Sequence, residues 1–539
     1  MRFAVGTIAI FAVVLGIAFR FSDLNAPLFW QDEAITALRV TGHTKAEYLS
    51  IFDGRIRPVA AIARFESLEP GRGVGSVVRG LALEEPQHPP LFYILDRLWI
   101  GAFGTTAAGF RGCSALIGTL GIALAFALGA ALGRSRVAGA VAAAFFALSP
   151  IFVLYARQAR EYAFFPDAVM LATLAFVRAM RGGGAPGWFA YAASVALGFY
   201  VDPIFALVVA GHGLSALLEP GARLPRLGAW FAASLAGAFA FLPWALGALR
   251  SSGDISDQLD WGRTAYPLKY LVQKWTFNVG ALAFDGEFKA LALAPVAVLV
   301  ALGALVALAV FVRHGERSAV RIVAPLAAIT FVVFEGRDVV LGSHFATIVR
   351  YLSPLWLGLL FAATAVIAHG LVRGGARTRA LALGALLATV AAGAAAGFIR
   401  GGAENWWDNN DQVAFQAMAR EIDRSDRPLV ITQFRPHVPL VMARYLRPDA
   451  EFLTFDKTAP ALPPGRHAFL VAPSRDVREA LVARTRGRYR MENVSPNATT
   501  IIRDFHKKLD RAKPELFRGD APIFVPENAL WALVPVRAR

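Results

Sequence analysis

The 539-residue chain has a single cysteine and few charges. Cys113 lies inside an apolar stretch, which excludes an intramolecular disulfide and leaves the redox compartment unread. Only 17% of residues are charged, against about 25% in an ordinary soluble domain. Acids are scarcer than bases, 39 against 55, for a formal net charge of +16. That excess invites a nucleic-acid reading. Much of it, however, sits in short loops between apolar segments, where basic residues orient a membrane protein, so no nucleic-acid partner is expected. The glycine-rich GRGVGSVVRG (71–80) lacks the spacing of a dinucleotide or phosphate-binding loop and reads as loop. No clear internal repeat is present.

Apolar sequence is what there is. The chain is 56% hydrophobic with a mean hydropathy of +0.49. Several stretches approach the roughly 20 residues that cross a bilayer. Candidate spans are 4–20, 111–132, 137–155, 164–180, 186–201, 203–218, 227–249, 288–313, 319–335, 346–369 and 379–399. The first could be a signal peptide, but it lacks a small-residue cleavage site and is read as a retained helix. PPLFYILDRLWIGAF (89–103) is too short, and Asp96 and Arg97 in its middle are costly in hydrocarbon. With 89–103 left out, twelve arginines fall on one face together with Arg2: Arg134, Arg136, Arg178, Arg181, Arg223, Arg226, Arg313, Arg317, Arg321, Arg373, Arg377 and Arg379. The positive-inside rule makes that face cytoplasmic. The expectation is eleven spans in a bacterial inner membrane, N-terminus cytoplasmic and C-terminus periplasmic or extracellular.

Three segments then lie outside: a first loop at about 21–110, a second at about 250–287 and a tail from about 400. In the tail, strand-like PLVITQ (428–433) and HAFLVAP (467–473) alternate with helix-like QVAFQAMAREI (412–422). The fold class expected is an all-α polytopic membrane domain over 1–400 with a small extramembrane α/β domain over 401–539.

Four polar motifs gather on the outer face. LFWQDEAIT (28–36) carries adjacent acids, Asp32 and Glu33, which a helix N-terminal turn would accommodate by itself. EEPQHPPLFY (84–93) sets His88 before a Pro-Pro helix start. SPIFVLYARQAREYAFF (149–165) holds Arg157, Gln158, Arg160, Glu161 and Tyr162 between two spans, where arginines as readily snorkel to the interface. HFATIVRYLSP (344–354) puts Arg350 and Tyr351 about two turns into a span. An arginine at that depth is expensive unless it faces a cavity or an anion.

In order and spacing, WQDEA, HPPLFY, SP…YARQAREY and RYLSP resemble the glycosyltransferase family 39-like branch of the GT-C superfamily, over about residues 1–400. That branch includes protein O-mannosyltransferases, lipid A aminoarabinose transferases and related bacterial membrane enzymes. The resemblance implies a hexosyl- or pentosyltransferase with a polyprenyl-phosphate-sugar donor and a lipid, glycan or protein acceptor. It implies Asp32 as catalytic base, with Glu33, His88, Arg160 and Tyr162 lining the same cavity. Many bacterial relatives read Gln-Glu-Ala-Arg-x-Tyr where this chain has Arg157-Gln158-Ala159-Arg160-Glu161-Tyr162. The usual acid has become Gln158, and Glu161 ranks lowest of the set.

The chemistry agrees with those residue types. An acceptor hydroxyl must lose its proton as it attacks, which a carboxylate can take. A departing phosphate develops charge that fixed cations offset, and guanidinium groups bind it bidentately. Asp32, with Glu33 beside it, is assigned the first role. Arg350 and Arg160 take the second, with His88, Tyr162, Tyr351, Gln158 and Glu161 around the donor. A divalent metal on Asp32, Glu33 and His88 has no spacing signature behind it. The alternatives are a lipid or sugar transporter or flippase, or a ligase using a diphosphate-linked oligosaccharide.

Overall fold

The computed structural model describes residues 1–220, 223–250, 260–285, 294–401, 414–433, 436–455, 461–463, 465–473, 475–485, 488–495 and 530–536. Two compact units are present. One comprises Met1–Leu24, Leu81–Trp99 and Ala108–Ala403; the other comprises Asn25–Gly80, Ile100–Ala107 and Glu404–Arg539.

The first unit is a polytopic helical membrane domain. Helices occupy the described residues of all eleven expected stretches, residues 288–293 of the eighth lying outside them; among the described residues eight helices are long and apolar enough to cross a bilayer. The number is nine if the bent pair Arg136–Leu148 and Pro150–Ala156 is one span. Gly184–Val201 is diluted by Gly184, Gly187, Trp188 and Tyr191, and Pro203–Leu218 is too short. Leu91–Phe103 forms a helix of 13 residues, short of a span as the sequence indicates.

The bent pair governs the packing. Helix Arg136–Leu148 stops at Ser149, and the chain turns by 59° into Pro150–Ala156. Pro150 has no N–H, so the Phe146 carbonyl loses its helical partner. In a bilayer such a group has no water to turn to. The fully buried Arg20 meets it: Nη2 donates to the Phe146 carbonyl at 3.1 Å and Nη1 to those of Ala147 and Gly16 at 2.6 and 2.9 Å. Buried Asp167, on helix Phe164–Met180, interacts electrostatically with the same guanidinium. Gly16 permits the approach, since a Cβ there would lie 2.4 Å from the Ala147 carbonyl oxygen. Gly393 does the same for the last span, where a Cβ would sit 2.6 Å from the Leu148 carbonyl oxygen.

The second unit holds a six-stranded sheet of order β1-β3-β2-β4-β6-β5. The strands are β1 Asp53–Pro58, β2 Leu429–Gln433, β3 Glu451–Phe455, β4 Ala468–Val471, β5 Tyr489–Asn493 and β6 Leu530–Pro535. β2, β3 and β4 run parallel, while β1, β5 and β6 pair antiparallel. Leu429, Ile431, Leu453, Leu470, Leu481 and Leu533 fill its core. The tail is thus α/β as read, with β2 and β4 where PLVITQ and HAFLVAP stand and helix Ala414–Ile422 in the third segment. Residues 412 and 413 of that segment lie outside the described residues.

The expected division at residue 400 differs from this arrangement. Asn25–Gly80, assigned from sequence to the membrane domain, folds with Glu404–Arg539. β1 supplies an edge strand to β3, and Thr454 Oγ1 donates to the Ile51 carbonyl at 2.8 Å. Tyr48 donates to the Pro436 carbonyl at 2.6 Å. A lone edge strand such as β1 is marginal by itself and is held by pairing with the tail's sheet.

Arg20→Met should unfold at a lower temperature in detergent. Leaving two buried carbonyls unmatched predicts a loss of roughly 2–5 kcal/mol.

Candidate active site

Asp32 and Glu33 occupy the first turn of helix Gln31–Val40 in the second unit. Trp30, extended at φ −86° and ψ 178°, precedes it as N-cap. Glu33 is fully buried, and its Oε2 accepts from the Trp30 N–H at 3.4 Å, satisfying one of the helix's orphan donors. Asp32 is partly exposed beside it. Across from Glu33 lies buried Glu66, whose carboxyl is pushed up to about 7 by burial, with Glu33 adding to the rise and Arg444 opposing it.

The second cluster is built in the first unit at the break between two spans. Past Pro150–Ala156 the chain leaves helical geometry: Arg160 is extended at φ −147° and ψ 160°, and Glu161–Ala163 makes one 3-10 turn before Phe164–Met180. Ser114 Oγ holds this turn by donating to the Arg160 carbonyl at 3.1 Å. The Arg160 guanidinium donates to Glu161 Oε1 at 3.2 Å and to the Tyr93 hydroxyl at 3.1 Å. His88 Nδ1 stands 3.3 Å from the same Glu161 oxygen.

His88 arrives on the loop before Leu91–Phe103. The Pro-Pro pair starts that helix as read, Ile94 N–H reaching the Pro90 carbonyl at 2.9 Å. Trp244 pins the loop by donating to the Pro86 carbonyl at 2.8 Å.

Arg350 completes the cluster. Its guanidinium carbon lies 4.9 Å from the Tyr162 ring centroid, and that of Arg160 lies 5.1 Å from it. Arg350 also covers Tyr351 at 5.2 Å, and Tyr351 stacks on Phe334 in the π-helical turn Val332–Gly336. Arg350 is not two turns inside a helix, as its position in the apolar run suggests. It sits in the 3-10 turn Val349–Leu352 ahead of Ser353–Arg373, because Pro354 belongs in a first helical turn.

Of the sequence-predicted residues, His88, Arg160, Glu161, Tyr162, Arg350 and Tyr351 therefore come together, and Gln158 is buried in the same turn. Glu161, ranked last from sequence, is the hub that joins His88 to Arg160. Arg157 turns instead to the last span, donating to the Gly401 carbonyl at 3.2 Å. Burial and the nearby Arg111 bring its guanidinium down to about 10.

Asp202 is a member that sequence reasoning missed. It ends helix Gly184–Val201 and accepts the Ile204 N–H at 2.8 Å. Burial and the neighbouring Glu161 push its carboxyl up to about 6, while His88 and Arg160 pull it down. An aspartate before a proline between two apolar stretches was the available signal. Among the described residues, no group of three or more His, Cys, Asp or Glu side chains is placed to hold a metal ion.

Residues 87–246 match the family model of dolichyl-phosphate-mannose-protein mannosyltransferases. That segment includes His88, Gln158, Arg160, Glu161, Tyr162 and Asp202, and it agrees with the glycosyltransferase resemblance of the motifs. No curated protein matches the chain. Among solved structures, ArnT from Cupriavidus metallidurans bound to undecaprenyl phosphate is 15% identical, with 91% of this chain and 96% of that chain covered and a TM-score of 0.49. Its apo state gives 16%, 88%, 93% and 0.48. The Archaeoglobus fulgidus oligosaccharyltransferase in complex with zinc and sulfate gives 13%, 83%, 62% and 0.45.

Glu161→Leu leaves the Arg160 guanidinium buried without its carboxylate. Thermal unfolding in detergent should show a loss of roughly 3–5 kcal/mol, and Arg160→Leu combined with Glu161→Leu should recover most of it.

Proposed function

We propose that the chain is a membrane glycosyltransferase that moves one sugar from a polyprenyl-phosphate donor to an acceptor on the outer face of a bacterial inner membrane. The observation that carries this reading is the convergence of Arg160 and Arg350 on the Tyr162 ring, beside the His88–Glu161 pair. Most of that cluster falls in the stretch matching a family whose donor is a polyprenyl-phosphate sugar.

Transfer breaks the anomeric C–O bond and leaves a phosphate. In this reading Arg350 and Arg160 stabilise the charge gathering on that phosphate. Tyr162 holds both cations to one locus, each such contact being worth about 0.5–2 kcal/mol. Glu161 orients Arg160 and His88 so that their remaining donors face the leaving group. The acceptor hydroxyl gives its proton to Asp32, in the first turn of helix Gln31–Val40. A second carboxylate in the cluster, Asp202, keeps the pocket from being purely cationic, which favours release of the phosphate product. A divalent metal remains an optional partner on this reading, not a required one.

Asp32→Asn should abolish release of free undecaprenyl phosphate from a panel of undecaprenyl-phosphate monosaccharides, with expression and unfolding temperature unchanged; wild-type turnover would remove Asp32 as base. Presenting mono- and diphosphate donors in the same assay separates this reading from a ligase, and net lipid movement without phosphate release would point to a flippase. The orientation is tested by Ser135→Cys, which should resist membrane-impermeant maleimide added from outside. Buried Cys113 gives little background, so ready labelling would invert the proposed topology.

A further inference from the structure

The entry to helix Gln31–Val40 is held by two consecutive residues of the tail. Arg444 and Tyr445 follow helix His437–Ala443. The Arg444 guanidinium carbon lies 3.9 Å from the Phe29 ring centroid, and its Nε is 2.5 Å from Oε2 of buried Glu66. The Phe29 N–H donates to the Tyr445 hydroxyl at 2.6 Å. Phe29 is fully buried, Trp30 next to it nearly so, and Asp32 stands three residues beyond Phe29. One contact fixes the Phe29 side chain and the other its peptide, so together they set both the position and the direction in which the helix begins.

We propose that Arg444 and Tyr445 are positioning residues for Asp32, so that the tail takes part in turnover by aiming the base and not only by folding. This rests on the reading of Asp32 as general base. A buried ion pair by itself would be weak grounds, since apolar replacements of such pairs often leave stability unchanged or raise it. Here the pair also has a directional task. Its guanidinium carbon stands over the ring that precedes the N-cap, and its charge offsets Glu66, which is coupled electrostatically to Glu33 in the same helical turn as Asp32. The neighbouring residue independently anchors the same peptide. Two adjacent tail side chains converging on one residue of the Asp32 loop restrain it more than packing requires. A base displaced by an ångström can lose on the order of a hundredfold in rate while substrate still binds.

The test uses full-length protein in detergent or nanodiscs and two measurements. Tyr445→Phe removes only the oxygen that accepts the Phe29 N–H. Arg444→Met combined with Glu66→Gln removes both charges and leaves no carboxylate stranded. In both variants, hydrogen exchange of the amides of residues 31–34 should accelerate. With the undecaprenyl-phosphate monosaccharide that the wild-type protein turns over, kcat should fall by about tenfold or more while the donor KM stays within about twofold. The unfolding temperature of the double variant should return to near that of the wild type while its kcat stays low. Arg444→Lys in the otherwise native chain should restore part of the rate. Unchanged exchange at 31–34, or a kcat that tracks the unfolding temperature in every variant, would overturn the proposal. Asp32→Asn measured in parallel separates the two claims: full turnover there sinks the base assignment, while the exchange data still judge the clamp.

Discussion

A proline inside a membrane helix strands a carbonyl where no water can reach it, and this chain meets that constraint with an arginine. Arg20 satisfies the carbonyls left at the Leu148–Pro150 break from a neighbouring helix. The break in turn redirects the backbone into Pro150–Ala156 and the non-helical stretch that presents Arg160, Glu161 and Tyr162. A straight helix would carry those side chains round three sides of a cylinder. The bend, capped from outside its own helix, lets consecutive residues serve one cluster. Gly16 and Gly393 belong to the same solution, because only a residue without Cβ allows two other spans to press against the exposed backbone.

Electrostatics within the cluster follow from what is buried with what. Two guanidinium groups, Arg160 and Arg350, and the His88 imidazole meet two carboxyl groups, Glu161 and Asp202, and a tyrosine ring common to both guanidinium groups. Glu161 holds one oxygen against both His88 and Arg160, so neither side chain turns freely. Groups fixed in this way need little reorganisation to meet a new charge. The second unit repeats the theme with different parts: Arg444 pulls the buried Glu66 carboxyl down while Glu33 pushes it up, and the Phe29 ring under the guanidinium fixes where the positive charge stands.

Much of this was legible in sequence. Runs of apolar residues located the membrane helices, and Pro89–Pro90 announced the helix that follows His88. Apolar runs gave eleven candidate stretches, whereas length and composition together single out eight helices among the described residues, or nine with the bent pair as one, leaving Gly184–Val201 and Pro203–Leu218 below that mark. The spacing of motifs placed six of the named residues together. It ranked Glu161 low because the usual acid of the pattern is replaced by Gln158, whereas in the structure Glu161 contacts both His88 and Arg160. Arg350 was read too deep because apolar content does not reveal a 3-10 turn before a proline. Strand β1 was invisible: DGRIRP has neither the alternation nor the β-branched content that marks a strand, and it exists only because β3 offers an open edge. The role of Glu33 in closing a helix end likewise depends on the extended Trp30, which no residue pattern specifies.

The sheet's strand order has a bearing on how the chain is made. β1 emerges early, yet its partner β3 is translated about 400 residues later, which at roughly 5–20 residues per second means a delay of tens of seconds. β6, near the last residue, slots between β4 and β5 and completes the array. Through most of synthesis the first loop therefore lacks the partner that makes DGRIRP a strand, and this part of the sheet forms only after the intervening spans have been made. A chain released before Leu530 would leave β4 and β5 unjoined.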